Sequence, residues 1–316
     1  MLLSEYWPEI KPWLVAVWIA YLVVLAGWIV LQKREPIATL SWIMSLALLP
    51  VLGLLIYHFL GPQRIRRQRL RRSRARANLD DALPSGLTAS EDCTTVARLG
   101  QSSTGYAPSS ATRADLLSGG GANLDALLEA IAGASHHVHV EYYIFEPDQT
   151  GTALRDALVA KAEAGVRVRL LLDAMGSIGL HEVFLAPLRA AGVEIAWFHP
   201  VRVRWVWRPR VNLRNHRKVV VVDGRIGFTG GINITDDENE RVKKDAFHDL
   251  HLRFEGQVVR WLQLAFLEDW NYATGTALRD ERFWPAADAG RIHAHLLTAG
   301  PDTPREAIQR VQVEAI

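Results

Sequence analysis

The chain is poor in the residues that mark several common classes of protein. It has one cysteine, Cys93, in 316 residues. That excludes an intrachain disulfide and fits a reducing compartment. It has no CxxC and no HExxH pairing, so nothing in it reads as a metal site, and no cofactor is expected. It has little net charge, +2, so bulk electrostatics alone select no partner. It also lacks any charge between Trp13 and Leu31, and that local absence is the most informative one. A span of roughly 20 apolar residues is what a bilayer core demands.

What is there begins with that run. A second apolar stretch, 37–60, follows the short QKREP, so residues 1–62 read as a two-helix transmembrane hairpin with spans at about 13–31 and 37–60. Trp7, Trp13, Trp28, Trp42 and Tyr57 fall near its ends, where interfacial aromatics belong. Glu5 and Glu9 spoil a signal-peptide leader. Next comes RIRRQRLRRSRARA, eight arginines in fourteen residues, including Arg64, Arg66, Arg67, Arg69, Arg71 and Arg72. Short basic runs beside a span stay cytoplasmic. The expected location is therefore multi-pass in a cytoplasmic membrane, with everything after Leu60 on the cytoplasmic side. The run also suits anionic head groups. Residues 63–113 are taken as this basic segment plus a Ser/Gly/Pro-rich linker.

From Leu116 helical and strand periods alternate. LDALLEAIAGA, TALRDALVAKAEAG, VFLAPLRAAG and VVRWLQLAFLEDWNYATG read as helices. HHVHVEYYIFE, VRVRLLLDAMG and VEIAWF read as strands, and KVVVVDGRIGFTGG reads as a hairpin around Asp223-Gly224. The pattern implies an α/β sheet covered by helices.

NHRKVVVVDG, 215–224, carries the chemistry. His216 and Lys218 are two apart at the mouth of a buried strand and share a face. FTGGIN returns beside them. Gly230 and Gly231 allow backbone N–H groups close to an anion, and Asn233 adds a side-chain donor. Imidazole, ammonium, Gly-Gly and amide together form a candidate phosphate pocket. Each feature alone is ordinary: a lone strand-end His or Lys is usually a polar edge.

Their combination, HxKxxxxDxxxxxxGGxN at His216, Lys218, Asp223, Gly230, Gly231 and Asn233, resembles the HKD motif of the phospholipase D superfamily. YYIFEPDQTG, LLLDAMGS, FHDLHLRFEG and the N-terminal hairpin are similar to bacterial cardiolipin synthases. The resemblance implies a phospholipase D-like α-β-α half-domain with a mixed sheet, at 114–290. It implies a phosphatidyltransferase that forms cardiolipin from two phosphatidylglycerol molecules through a phosphatidyl-histidine. His216 is then the nucleophile and Asp249 the acid that orients it. Lys218 and Asn233 hold phosphate oxygens, and Asp223 is mainly structural, anchoring the hairpin. No metal is required. Phe247-His248 departs from the family's aromatic-Arg before that Asp.

The family uses two such motifs, and no second HxK follows His216. LLTAGPDTPREAIQRVQVEAI, 296–316, echoes LLSGGGANLDALLEAI, 116–131, each running from Leu-Leu to Glu-Ala-Ile, with a small insertion in the later copy. Residues 291–316 thus read as the start of a truncated second half-domain, with homodimerisation as the other way to complete the site. An anionic phospholipid and a membrane are the expected partners, and nucleic acid is not. Alternating Arg and Trp in VRVRWVWRPRVNLR suit an anionic interface or an ordinary pocket rim. Hydrolysis by the same residues, a nuclease, and a catalytically silent lipid-binding protein remain the rival readings.

Overall fold

The computed structural model describes residues 2–30, 36–48, 77, 95–198, 215–300 and 307–316, though not every helix side chain among them. Its first unit contains α1 (Leu2–Val30) and α2 (Pro36–Leu48). Leu46 of α2 is buried, with Trp42 and Ile43 against it. Among the described residues no helix is long and apolar enough to cross a membrane. The described part of α2 has 13 residues, about 20 Å of helix against a core of about 30 Å. Several α1 side chains, Leu31 and residues 49–60 lie outside the described residues. The two-span hairpin is therefore not established by this structure.

The second unit holds the elements that follow: α3 (Thr95–Thr104), β1 (Ser109–Ala111), β2 (Arg113–Ser118), α4 (Gly120–Ala132), β3 (His137–Tyr142), α5 (Gln149–Glu163), β4 (Arg167–Asp173), α6 (Glu182–Ala190), β5 (Glu194–Phe198), β6 (Val219–Val222), β7 (Ile226–Gly230), β8 (Leu250–Glu255), α7 (Val258–Thr274), β9 (Ile292–Ala294) and α8 (Ala307–Ala315). Seven strands form one mixed sheet in the order β2-β8-β7-β6-β3-β4-β5. β3, β4 and β5 run parallel, joined by α5 and α6, and the remaining pairings are antiparallel. The helices and strands expected from 120 to 274 are all present.

Both faces of the sheet are covered. Leu127, Ile131, Leu154, Leu158, Leu185 and Leu188 of α4, α5 and α6 pack on one face. Val259, Leu262 and Phe266 of α7 pack on the other. This explains the unbroken valines of β6. Val220 and Val222 enter the first layer and Val219 and Val221 the second, so no position faces water. The turn after them has Asp223 at φ 52° and Gly224 at φ 66°, the pair of positive φ values that a tight hairpin uses.

Within the segment read as a linker, the described residues form α3 and β1. α3 precedes β1, and β1 pairs with β9 in a separate two-stranded sheet. α8 packs on α3, and His295 Nε2 lies 2.7 Å from the Tyr106 carbonyl. The described residues after 291 thus close on the segment before β2.

Candidate active site

β6 begins only at Val219, so residues 215–218 are irregular backbone rather than strand. The two side chains nevertheless meet. Lys218 Nζ is 3.2 Å from His216 Nδ1 and donates to the His216 carbonyl at 3.2 Å. An ammonium only donates, so Nδ1 accepts, and the neutral ring carries its proton on Nε2. His216 is exposed, while Lys218 is 3% exposed. The Tyr143 ring stacks obliquely on His216, with centroids 4.3 Å apart, and lies 5.4 Å from the Lys218 ammonium. Burial lowers the His216 pKa, and the Lys218 charge lowers it further, against Asp173 and Glu238. The site thus favours the neutral, nucleophilic imidazole. Burial also lowers the Lys218 pKa, against the attraction of Glu238 and Asp249.

The residues on either side of His216 are pinned. Asn215 N donates to Asp173 Oδ2 at 2.9 Å, and the Asn215 amide donates to Glu141 Oε1. Arg217 pairs with Asp269. Asp269 and Glu141 hold the guanidinium firmly charged although burial opposes it. Glu141 lies among carboxylates and is fully enclosed, and burial followed by Asp269 pushes its pKa well up. These anchors come from β3, β4 and α7, so three elements fix the backbone around one exposed histidine.

The glycines behave as close-approach positions. A Cβ on Gly230 would meet the Leu250 carbonyl at 2.5 Å, and one on Gly231 would fall among the Asp249 carboxylate oxygens. Asn233 is buried and fully engaged. Its Oδ1 accepts from Ile144 N at 3.2 Å, and its backbone N–H and Nδ2 both donate to Glu238, each at 2.6 Å. Asp249 is exposed and accepts from Leu250 N at 2.7 Å. No hydrogen bond joins it to His216. His251, beside Gly230 in the next strand, is fully buried with neither ring nitrogen partnered. Burial pushes its pKa down to about 3.

Asp223 sits at the far end of β6. Its Oδ1 accepts from His136 N and His137 N, each at 2.8 Å, and its Oδ2 from Ser135 N at 2.8 Å and Ser135 Oγ at 2.9 Å. These bonds tie the hairpin turn to the start of β3. Arg64, Arg66, Arg67, Arg69, Arg71 and Arg72 lie outside the described residues, as does 201–214.

The structure therefore joins His216 to Lys218, sets Gly230 and Gly231 at the adjoining end of β7 with Asp249 over Gly231, and ties Asn233 to Glu238. Sequence reading missed Glu238, Tyr143, Asp173, Asn215, Arg217 and His251. Adjacency to the motif was the available signal for Asn215 and Arg217. Nothing in DDEN marks Glu238.

The chain is 39% identical over 300 residues to cardiolipin synthase 1 of Bacillus anthracis, covering 89% of this chain and 59% of that protein. It is 38% identical over 313 residues to cardiolipin synthase 1 of Bacillus cereus, covering 93% and 61%. It therefore spans about three fifths of the length of these curated relatives. The solved structure of Nuc, a phospholipase D family member from Salmonella typhimurium, covers 53% of this chain and all of its own, at 18% identity and a TM-score of 0.39. The family assignment rests on the sequence matches alone. Residues 127–270, which hold His216, Lys218, Asn233 and Asp249, match the family described as cardiolipin synthase, PLD-like domain, and this part of the chain belongs to it.

Proposed function

We propose that this chain carries the nucleophilic half of a phosphatidyltransferase that joins two phosphatidylglycerol molecules into cardiolipin and releases glycerol. The observation that carries the reading is the buried Lys218 ammonium 3.2 Å from the exposed His216 ring. It sets a cation for phosphate oxygens beside a neutral nucleophile, within residues matching the family. A His216 nitrogen attacks phosphorus and forms a P–N bond while the bond to the first glycerol oxygen breaks. That oxygen takes up a proton. The hydroxyl of the second lipid then attacks phosphorus, loses a proton, and the P–N bond breaks, so protons balance over the cycle. Attack through Nε2 requires the ring proton on Nδ1. Lys218 therefore leaves Nδ1 for a phosphate oxygen, and Asp249 turns from Leu250 N to accept a hydrogen bond from Nδ1–H.

Residues 1–62 are proposed to hold this domain at a cytoplasmic membrane through the charge-free run 13–31 and its successor, with the arginines at 64–76 against anionic head groups. The second motif's histidine would come from a further half-domain or from a second copy of the chain. Hydrolysis by the same residues is the alternative, since water and an alcohol are distinguished by parts of the pocket the motif does not specify. The test is acid-quenched or alkali-stable capture of a phosphorus–histidine adduct on full-length chain given radiolabelled phosphatidylglycerol in vesicles. His216→Ala should abolish the adduct. An adduct of unchanged yield in that variant sinks the assignment. Lipid products then separate cardiolipin from phosphatidic acid.

A further inference from the structure

Glu238 sits where a ligand anion would be expected. Both carboxylate oxygens accept from Asn233, one from the backbone N–H and one from Nδ2, each at 2.6 Å. Two donated hydrogen bonds to one carboxylate imitate the way a phosphate is held. Its charge also reaches Lys218 and His216.

Its position is built. The backbone of Glu238 abuts the start of α4, where a Cβ on Gly120 would meet the Glu238 carbonyl at 2.2 Å. On the other side Asp236 holds the turn against α5, accepting from Thr150 N at 2.8 Å and Gln149 N at 3.3 Å. Asp236 N in turn donates to Asp148 Oδ2 at 2.6 Å. Asn239 Nδ2 donates to Thr150 Oγ1 at 3.0 Å. The turn that bears Glu238 is therefore fixed by two helices.

Charge then restricts what the pocket accepts. Lys218 contributes one positive charge, and Glu238 and Asp249 one negative charge each, while His216 is neutral. With Asp173, whose charge also reaches His216, carboxylates outnumber the single cation Lys218 before any ligand enters. A phosphodiester brings one negative charge, whereas a phosphomonoester brings close to two at neutral pH. Coulomb repulsion is linear in ligand charge, so Glu238 penalises a dianion twice as much, in free energy, as a monoanion.

We propose that Glu238 is a specificity-determining residue of this site, admitting singly charged phosphodiesters and rejecting doubly charged phosphate groups. The proposal rests on the reading of His216 and Lys218 as the phosphate site, with Asn233 committed to holding Glu238 beside it. In a transfer reaction it keeps phosphomonoesters from occupying the pocket, while the diester substrate and diester product both pass.

The experiment measures equilibrium binding of dimethyl phosphate, a monoanion, and sulfate, a dianion, to the purified full chain at fixed ionic strength. Wild type is expected to favour dimethyl phosphate. Glu238→Gln, which keeps the shape and removes the charge, should bind dimethyl phosphate roughly fivefold more tightly and sulfate roughly twenty-five-fold, the square of the first factor. Glu238→Asp, which keeps the charge, should retain the wild-type preference and guards against a folding defect in the first variant. Equal gains for both anions, or weaker binding of both, overturn the proposal and leave Glu238 as a brace for Asn233. If neither anion binds wild type or variant, the cradle itself falls, and the discrimination falls with it.

Discussion

Asp223 lies in the HKD pattern but not in the pocket, and replacing it separates an anchor from a catalytic group. It stands the length of β6 from His216, about 13 Å for four strand residues. It accepts three backbone N–H bonds and one hydroxyl bond from residues 135–137. Hydrogen bonds to a charged group are worth about 1.5–3 kcal/mol each, and water replaces part of that at a half-exposed turn. Asp223→Ala then costs about 3 kcal/mol in lost bonds and about 1 kcal/mol more for placing alanine at φ 52°. Asn tolerates that φ and keeps one acceptor oxygen for His136 and His137, so Asp223→Asn costs about 1.5 kcal/mol. The assay is thermal melting followed by tryptophan fluorescence. The midpoint should fall roughly 10 °C for Ala and roughly 4 °C for Asn. Below the melt, both variants should bind dimethyl phosphate as wild type does. The pH dependence has a defined sign. Burial raises the Asp223 pKa, but the three N–H donors and Ser135 outweigh it and leave the pKa lowered. A lowered pKa means stabilisation present above the ordinary carboxylate pKa and lost as pH falls through the folded one. The gap between wild type and Ala should therefore close in acid. An Asp223→Ala protein that melts like wild type yet no longer binds phosphodiester would refute this reasoning.

Three further outcomes follow from the same contacts. Arg217→Met removes the guanidinium that pairs with buried Asp269 and should destabilise by about 3–5 kcal/mol, read from denaturant melts; a change below about 1 kcal/mol would mean the pair is solvated. Lys218→Met removes a positive charge beside His216, so the His216 pKa should rise, and imidazole NMR titration should move its protonation midpoint to higher pH; a midpoint that stays or drops contradicts the 3.2 Å contact. His251→Leu removes a buried imidazole with no partner, and should be neutral or raise the melting temperature; marked destabilisation would reveal a bound water or ligand on that ring.

The sheet was legible because its signals are local. Alternating helix and strand periods from 116 to 274 gave four helices, three strands and the hairpin but not β2 or β8, and Val219–Val222 read as a buried strand. His216 and Lys218 were legible by spacing. Their contact was expected from strand alternation, yet it occurs in irregular backbone and depends on the ammonium folding back on Nδ1. Glu238 was not legible. In the run DDE each acid reads as solvated, and its place is set by Asn233, Gly120 and Thr150, two of which are more than eighty residues away. The His-Val alternation of β3 gives no hint that its polar face is buried. That depends on α7, which brings Gln263 between His137 and His139 and lays Phe266 on the His139 ring at 4.5 Å.

That buried polar face bears on how the site works. On its own, burying His137, His139 and Glu141 beneath a helix is unfavourable, and a Val-rich face would pack at lower energy. What the polar face adds lies at its end nearest the site. Glu141 and Asp269 grip Asn215 and Arg217, the two neighbours of His216, and Asp173 takes the Asn215 N–H. Apolar packing would fix those positions less firmly, because only directional bonds define both the place and the rotation of a short irregular segment. The flanking Asn215 and Arg217 are thus held, while the exposed His216 ring lies against Tyr143 and takes an exchangeable hydrogen bond from Lys218. An arrangement of rigid flanks and an exchangeable contact suits a side chain that must form and break a bond to phosphorus without moving its main chain.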